Sequence, residues 1–198
     1  MEEFEVVFTD INIKETRAKL ESVGAKKIFK RTYHRLNFEY PDWRLDKNNS
    51  WIRLRDEGEK VTLAFKKRIG AGAGEHDNDL GMEEIEFEVS NYEKVRDFFL
   101  AIGFVHKLEV ENRRERWQYQ NIQFDLDTYP LIPTVIEIES DSWDGVSKGI
   151  QLLGFDPAKQ RICSMSQIAK DYGVDYADYI IYRFDKQVKR EQPRHSEI

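Results

Sequence analysis

Six short stretches of this chain alternate polar or charged with apolar residues at a period of two, and no other feature constrains the fold as tightly. Residues 3–8 read Glu3-Phe4-Glu5-Val6-Val7-Phe8, and 51–55 read Trp51-Ile52-Arg53-Leu54-Arg55. Residues 61–66 place Val61, Leu63 and Phe65 on one face and Thr62, Ala64 and Lys66 on the other. Residues 84–89 read Glu84-Ile85-Glu86-Phe87-Glu88-Val89, 124–127 read Phe124-Asp125-Leu126-Asp127, and 136–139 read Ile136-Glu137-Ile138-Glu139. Because successive side chains of a strand point to opposite faces, each stretch is predicted to be a strand with one apolar and one polar face. Residues 33–40 and 113–119 are two further predicted strands.

Three segments switch to helical period. The first runs from about Asn12 to Val23, with Ile13, Thr16, Leu20 and Val23 on one face and Gly24 as the stop. The second opens on Ser90-Asn91-Tyr92-Glu93, a capping box with Ser90 as predicted N-cap, and ends at Gly103. The third spans about Trp143 to Leu153, before Gly154. Each region is an acidic strand, a short turn, a helix and a glycine, so one supersecondary unit recurs around a single sheet. Residues 69–81 are glycine-rich and lack a phosphate-loop pattern. Residues 164–184 are predicted to be partly helical, and 186–198 to form a disordered tail after one domain over 1–185.

A net charge of -6 argues against non-specific contact with nucleic acid or an anionic membrane. The single Cys163 cannot form an intrachain disulfide, and the N-terminus has no signal-peptide pattern, so a cytoplasmic protein is expected, with monomer and homodimer both left open. His34, His76, His106 and His195 are scattered without zinc-like spacing and read as surface residues. Tyr33, Phe38, Tyr40 and Trp43 read as core packing.

The charged faces are more telling together than singly. The helices would cover Phe4, Val6, Phe8, Ile52, Leu54, Leu63, Phe65, Ile85, Phe87, Ile136 and Ile138. The opposite face would carry Glu3, Glu5, Arg53, Arg55, Lys66, Glu84, Glu86, Asp127, Glu137 and Glu139. A twisted sheet of about eight strands tends to close. Closure would turn these charges inward, where acids need divalent cations and arginine forks fit phosphate oxygens. A metal-bound polyphosphate satisfies both.

The N-terminal acid-x-acid strand, Trp51 to Arg55, Phe65-Lys66, Glu84 to Glu86, and Asp127 followed by Glu137 to Glu139 together resemble the CYTH family of triphosphate tunnel metalloenzymes. The resemblance covers residues 1–185 and implies an α+β fold, a closed eight-stranded antiparallel β-barrel with helices outside. It implies Mg²⁺ or Mn²⁺ held by Glu3, Glu5, Asp127, Glu137 and Glu139, with Glu84 and Glu86 nearby. Arg53, Arg55, Lys66 and Arg114 match the phosphate-binding residues, and Arg116 shares the parity of Arg114. A one-residue slip within Arg113-Arg114-Glu115-Arg116 would exchange their faces. The resemblance places Glu3, Glu5, Arg53, Arg55 and Lys66 in the catalytic set. It implies hydrolysis of a triphosphate, with class IV adenylate cyclase chemistry as the alternative.

Two positions depart from the family pattern. Val7 stands where a lysine follows the opening acids, and Ile162-Cys163-Ser164-Met165 lacks a lysine and a tyrosine near the C-terminus. Arg161 and Lys170 are the candidates to replace the lost cation. These departures keep a third reading open, a non-catalytic triphosphate- or nucleotide-binding module.

Overall fold

The computed structural model of the chain describes residues 4–69 and 81–191; Glu3, nearly all of the glycine-rich loop with His76, and the last seven residues with His195 lie outside them. The elements run β1 (Phe4–Phe8), α1 (Ile13–Ser22), β2 (Lys26–Glu39), α2 (Arg44–Lys47), β3 (Ser50–Asp56), β4 (Val61–Ile69) and β5 (Gly81–Val89). They continue as α3 (Tyr92–Ala101), β6 (Val105–Tyr119), β7 (Ile122–Thr128), β8 (Val135–Ser140), α4 (Trp143–Leu153), α5 (Met165–Asp171), β9 (Tyr179–Tyr182) and β10 (Gln187–Lys189).

The architecture is α+β, a large and mainly antiparallel sheet with a few helices. Its hydrogen-bonded order is β1-β8-β7-β6-β2-β3-β4-β5, with β9 joined to β6 in parallel and β10 joined to β9. Ten strands take part among the described residues, where eight were expected. The path does not return from β5 to β1, so backbone hydrogen bonds do not close it as a barrel. β10 also corrects the expected tail, since Gln187 to Lys189 pair with Tyr182 to Tyr179.

The chain divides into two compact units. The first holds residues up to 31 and 113–168. Its core joins Val6, Phe8, Phe124, Leu126, Ile136 and Ile138 from the sheet to Leu20 of α1 and Val146, Ile150 and Leu153 of α4. The predicted parity is the one observed. α1 starts at Asn12, whose side chain accepts from the amides of Lys14 and Glu15. α4 lies close on the sheet because Gly149 has no side chain: a Cβ there would stand 2.7 Å from Ile138 Cγ2.

The second unit holds the described residues of 32–112 and 169–191. Leu36, Phe38, Leu54 and Tyr92 form its core, joined by Ile52, Leu63, Val95, Phe99 and Phe104. The N-cap of α3 is Asn91, not Ser90: the Asn91 side chain accepts from the Lys94 amide at 2.8 Å. Ile85 and Phe87 have the expected parity but stay 66% and 54% exposed, because α3 packs over Leu63 and Val89 and leaves the far part of β5 bare. No helix among the described residues is long and apolar enough to cross a membrane.

Candidate functional site

In the first unit the polar sheet face gathers the acids. Strand pairing sets Glu5 opposite Glu139, Val7 opposite Glu137, Glu137 opposite Asp125, and Asp125 and Asp127 opposite Arg116 and Arg114. The slip within 113–116 is thereby resolved, with Arg114 and Arg116 on the acid face. Arg113 is exposed, and Glu115 is buried with Arg17 at 3.0 Å.

Arg114 is the hub. It donates to Glu137 at 2.5 Å, to Asp127 Oδ1 at 3.0 Å and reaches Asp125 at 2.7 Å. Arg116 adds a two-pronged contact to Asp125 at 2.8 and 2.5 Å. Asp127 is fully buried and pairs with Arg114. Burial pushes the Glu137 carboxyl up, and the neighbouring charges of Asp127, Glu5 and Asp125 add to that against the pull of Arg114. A carboxylate raised in this way is short of positive charge. Glu5, Asp125, Glu137 and Glu139 are hard oxygen donors that suit Mg²⁺ or Mn²⁺ by chemistry. They are not a ready cage: among the described residues no three acidic, His or Cys side chains converge as a metal site.

In the second unit the polar sheet face gathers the bases. Pairing sets Arg35 opposite Arg55, Asn37 opposite Arg53, Trp51 opposite Lys66, and Lys66 and Ala64 opposite Glu84 and Glu86. Arg53 donates to Glu86 at 3.0 Å and Glu84 at 3.3 Å. Arg55 meets Glu57 at 2.6 Å and Glu86 at 3.3 Å, and Lys66 meets Glu84 at 2.9 Å. Glu84 and Glu86 thus lie against the phosphate-binding candidates. Burial and the charges of Arg55 and Arg35 hold the Arg53 guanidinium down to about 10. Burial and Arg53 lower Lys66 as well. The buried Nε–H groups of Arg53 and Arg55, and the hydroxyl of Thr62 between them and β5, have no hydrogen-bond partner. Orphaned buried donors beside depressed cations are what an anion would satisfy.

Sequence reasoning missed Asp125, Arg35 and Trp51. Asp125 was visible by parity, two residues before Asp127. Trp51 shares the face of Arg53 and is half-buried, with the Arg68 guanidinium 5.6 Å over its ring. Phe38 lies in the core as expected. His34 and His106 are half-buried, not surface residues: both flank Glu109, at 2.6 and 3.9 Å. Cys163 is half-buried.

A family model described as CYTH domain matches residues 1–153. No curated protein is similar in sequence. Among solved structures, the PH1012 protein of Pyrococcus horikoshii OT3 superposes with a TM-score of 0.64 at 23% identity, over 81% of this chain and 94% of that one. An adenylate cyclase candidate from Vibrio parahaemolyticus gives 0.65 at 11% identity, over 85% and 97%. The Hippeastrum protein HpAC1, an adenylyl cyclase candidate with a dominant triphosphatase activity, gives 0.51 at 17% identity, over 89% and 90%. At these identities the likeness concerns the fold.

Proposed function

Because the chain belongs to the CYTH domain family, we propose that it binds a triphosphate with a divalent metal ion and hydrolyses it. One observation carries this reading: the two polar faces are strained in opposite senses. Glu137 is raised among acids, while Arg53 and Lys66 are lowered among bases. Phosphate oxygens would relieve the bases, and Mg²⁺ or Mn²⁺ would relieve the acids. Glu5, Glu137 and Glu139, with Asp125 and the undescribed Glu3, would hold the ion, and Asp127 would fix Arg114 beside them. The bound ion would supply charge neutralisation to phosphate oxygens.

The protein's own groups have three tasks. Arg53, Arg55 and Lys66 exchange Glu84 and Glu86 for phosphate oxygens, which aligns the chain of phosphates. Arg114 and Arg116 hold the carboxylates of the acid face in place. The guanidinium donors stabilise negative charge as water attacks the terminal phosphorus. Trp51, on the face of Arg53, favours an organic triphosphate with an aromatic ring over inorganic tripolyphosphate.

Phosphate release from tripolyphosphate, thiamine triphosphate and ATP with Mg²⁺ or Mn²⁺ tests the proposal. Activity is expected in the wild type and lost in Glu137→Ala. Cyclic AMP from ATP in place of released phosphate would turn the reading to a cyclase. Tight binding without any product would turn it to a binding module, the outcome that Val7 favours.

A further inference from the structure

The apolar face of the sheet in the second unit is only partly covered. α3 packs on Leu63 and Val89, and the rest of β5 lies beyond it. Ile85 and Phe87 stand along the bare part of β5, and Phe98 and, one turn on, Ile102 stand along α3. All four are more than half exposed. Ile85 and Phe87 form a ridge that runs on into Val89, and strand pairing sets Leu63 opposite Phe87. Leu63, Val89, Val95, Phe98 and Phe99 in turn line a groove of about 610 Å³. An apolar ridge and an apolar groove therefore adjoin on one face. Four large apolar side chains exposed to this degree leave roughly 500 Å² of apolar surface. A standard interface buries about 800 Å² on each partner, about 60% of it apolar, and so needs about that much.

Charge narrows the choice of occupant. Glu88 of β5 and Lys94 of α3, both exposed, also line the groove. A two-fold axis sets each base against the partner subunit's acid, so a second copy of the same patch satisfies both signs. A partner charged in one sense would meet a like charge at one of the two. Strand addition at the β5 edge is the poorer use of this region. Self-pairing that keeps the apolar faces together would set Glu84, Glu86 and Glu88 against one another. We propose that the face is an isologous homodimer interface, with the ridge of Ile85 and Phe87 on each copy seated in the groove of the other. It lies on the opposite face of the sheet from Arg53, Arg55 and Lys66, and so stands apart from the triphosphate reading.

Sedimentation equilibrium of the full chain at about 100 μM, which populates any dimer of micromolar affinity, tests this. The expected mass is twice the 23.5 kDa of one chain. Phe87→Asp is expected to weaken the dimer about 30-fold or more, the loss of a central aromatic. Glu88→Lys and Lys94→Glu each weaken it as well. The two together restore it, which substitutions that merely damaged the fold would not do. A wild type that sediments as a single chain would overturn the proposal, whatever else the patch binds. A dimer that Phe87→Asp leaves intact would overturn it too, because the copies would then join through another surface.

Discussion

Replacing Arg114 by methionine should destabilise the protein in a way that depends on pH and is repaired by divalent metal. Methionine keeps the length of the side chain and removes its charge. Three carboxylates lose their partner: Asp127, with its side chain fully buried, Asp125 at 4% exposure and Glu137 at 17%. Breaking a buried pair by deleting one member costs about 3–5 kcal/mol. Arg116 remains on Asp125, so the lower figure applies, and about 3 kcal/mol lowers the melting temperature of a chain this size by about 6–12 °C. The sign with pH follows from the acids. Glu137 already sits above its ordinary value of 4.5 in the folded protein, and removal of the cation raises it further. A folded state that holds protons more tightly than the unfolded state loses stability as pH rises. The deficit should shrink as pH falls towards the ordinary value of 4.5, where the unfolded carboxyl also begins to take up a proton, and be largest in mildly alkaline buffer. Saturating Mg²⁺ should raise the melting temperature of the variant more than that of the wild type, since the ion takes over the work of the guanidinium. Thermal melting at pH 5 and pH 8, with and without Mg²⁺, reads all three effects. A variant within about 2 °C of wild type at pH 8, or equally impaired at both pH values, would refute the reasoning.

Trp51→Ala should weaken binding of an aromatic organic triphosphate by about 1–3 kcal/mol and leave inorganic tripolyphosphate unaffected, as read by competition calorimetry. Arg53→Ala, by contrast, should weaken both ligands alike, because it removes a phosphate donor. Gly149→Ala forces a Cβ to 2.7 Å from Ile138 Cγ2; overpacking of about 1–3 kcal/mol outweighs the gain in helix propensity, and thermal melting should show a net loss. The hydrogen bond from His34, with Arg183, holds Glu109 down to about 2 against its burial. That contribution is present above pH 4.5 and is lost as pH falls towards 2; discounted for partial exposure it is about 1–2 kcal/mol. Glu109→Gln should flatten the acid limb of the stability profile over that window.

Strand parity made both polar faces legible, because Glu5, Asp127, Glu137, Arg53, Arg55 and Lys66 each alternate with residues that the cores bury. Pairing was not legible. The sequence places Arg114 on a strand but cannot show that its neighbours are Asp125 and Asp127, which depends on the β6–β7 register. Nor does the sequence show that β5 pairs with β4, which sets Lys66 against Glu84. Ile85 and Phe87 read as core because alternation reports a face and not whether a helix covers it. Ser90 and Asn91 can both cap a helix, and only backbone geometry decides between them. The contact of Arg161 with Val7 joins residues far apart along the chain, beyond any local pattern.

That same wide separation shapes how the molecule is made. Among the described residues β1 has a single strand partner, β8, and the pairing joins Phe8 to Ile136 and Phe4 to Ser140. At about 5–20 residues per second, a ribosome needs on the order of ten seconds to pass from one partner to the other. Through that interval β2, β3, β4 and β5 emerge and can zip into neighbouring hairpins. The earliest-made strand waits with its edges bare, and the acid face is assembled only after the basic face has had time to form. A nascent chain stalled before residue 135 should therefore carry β1 open to protease.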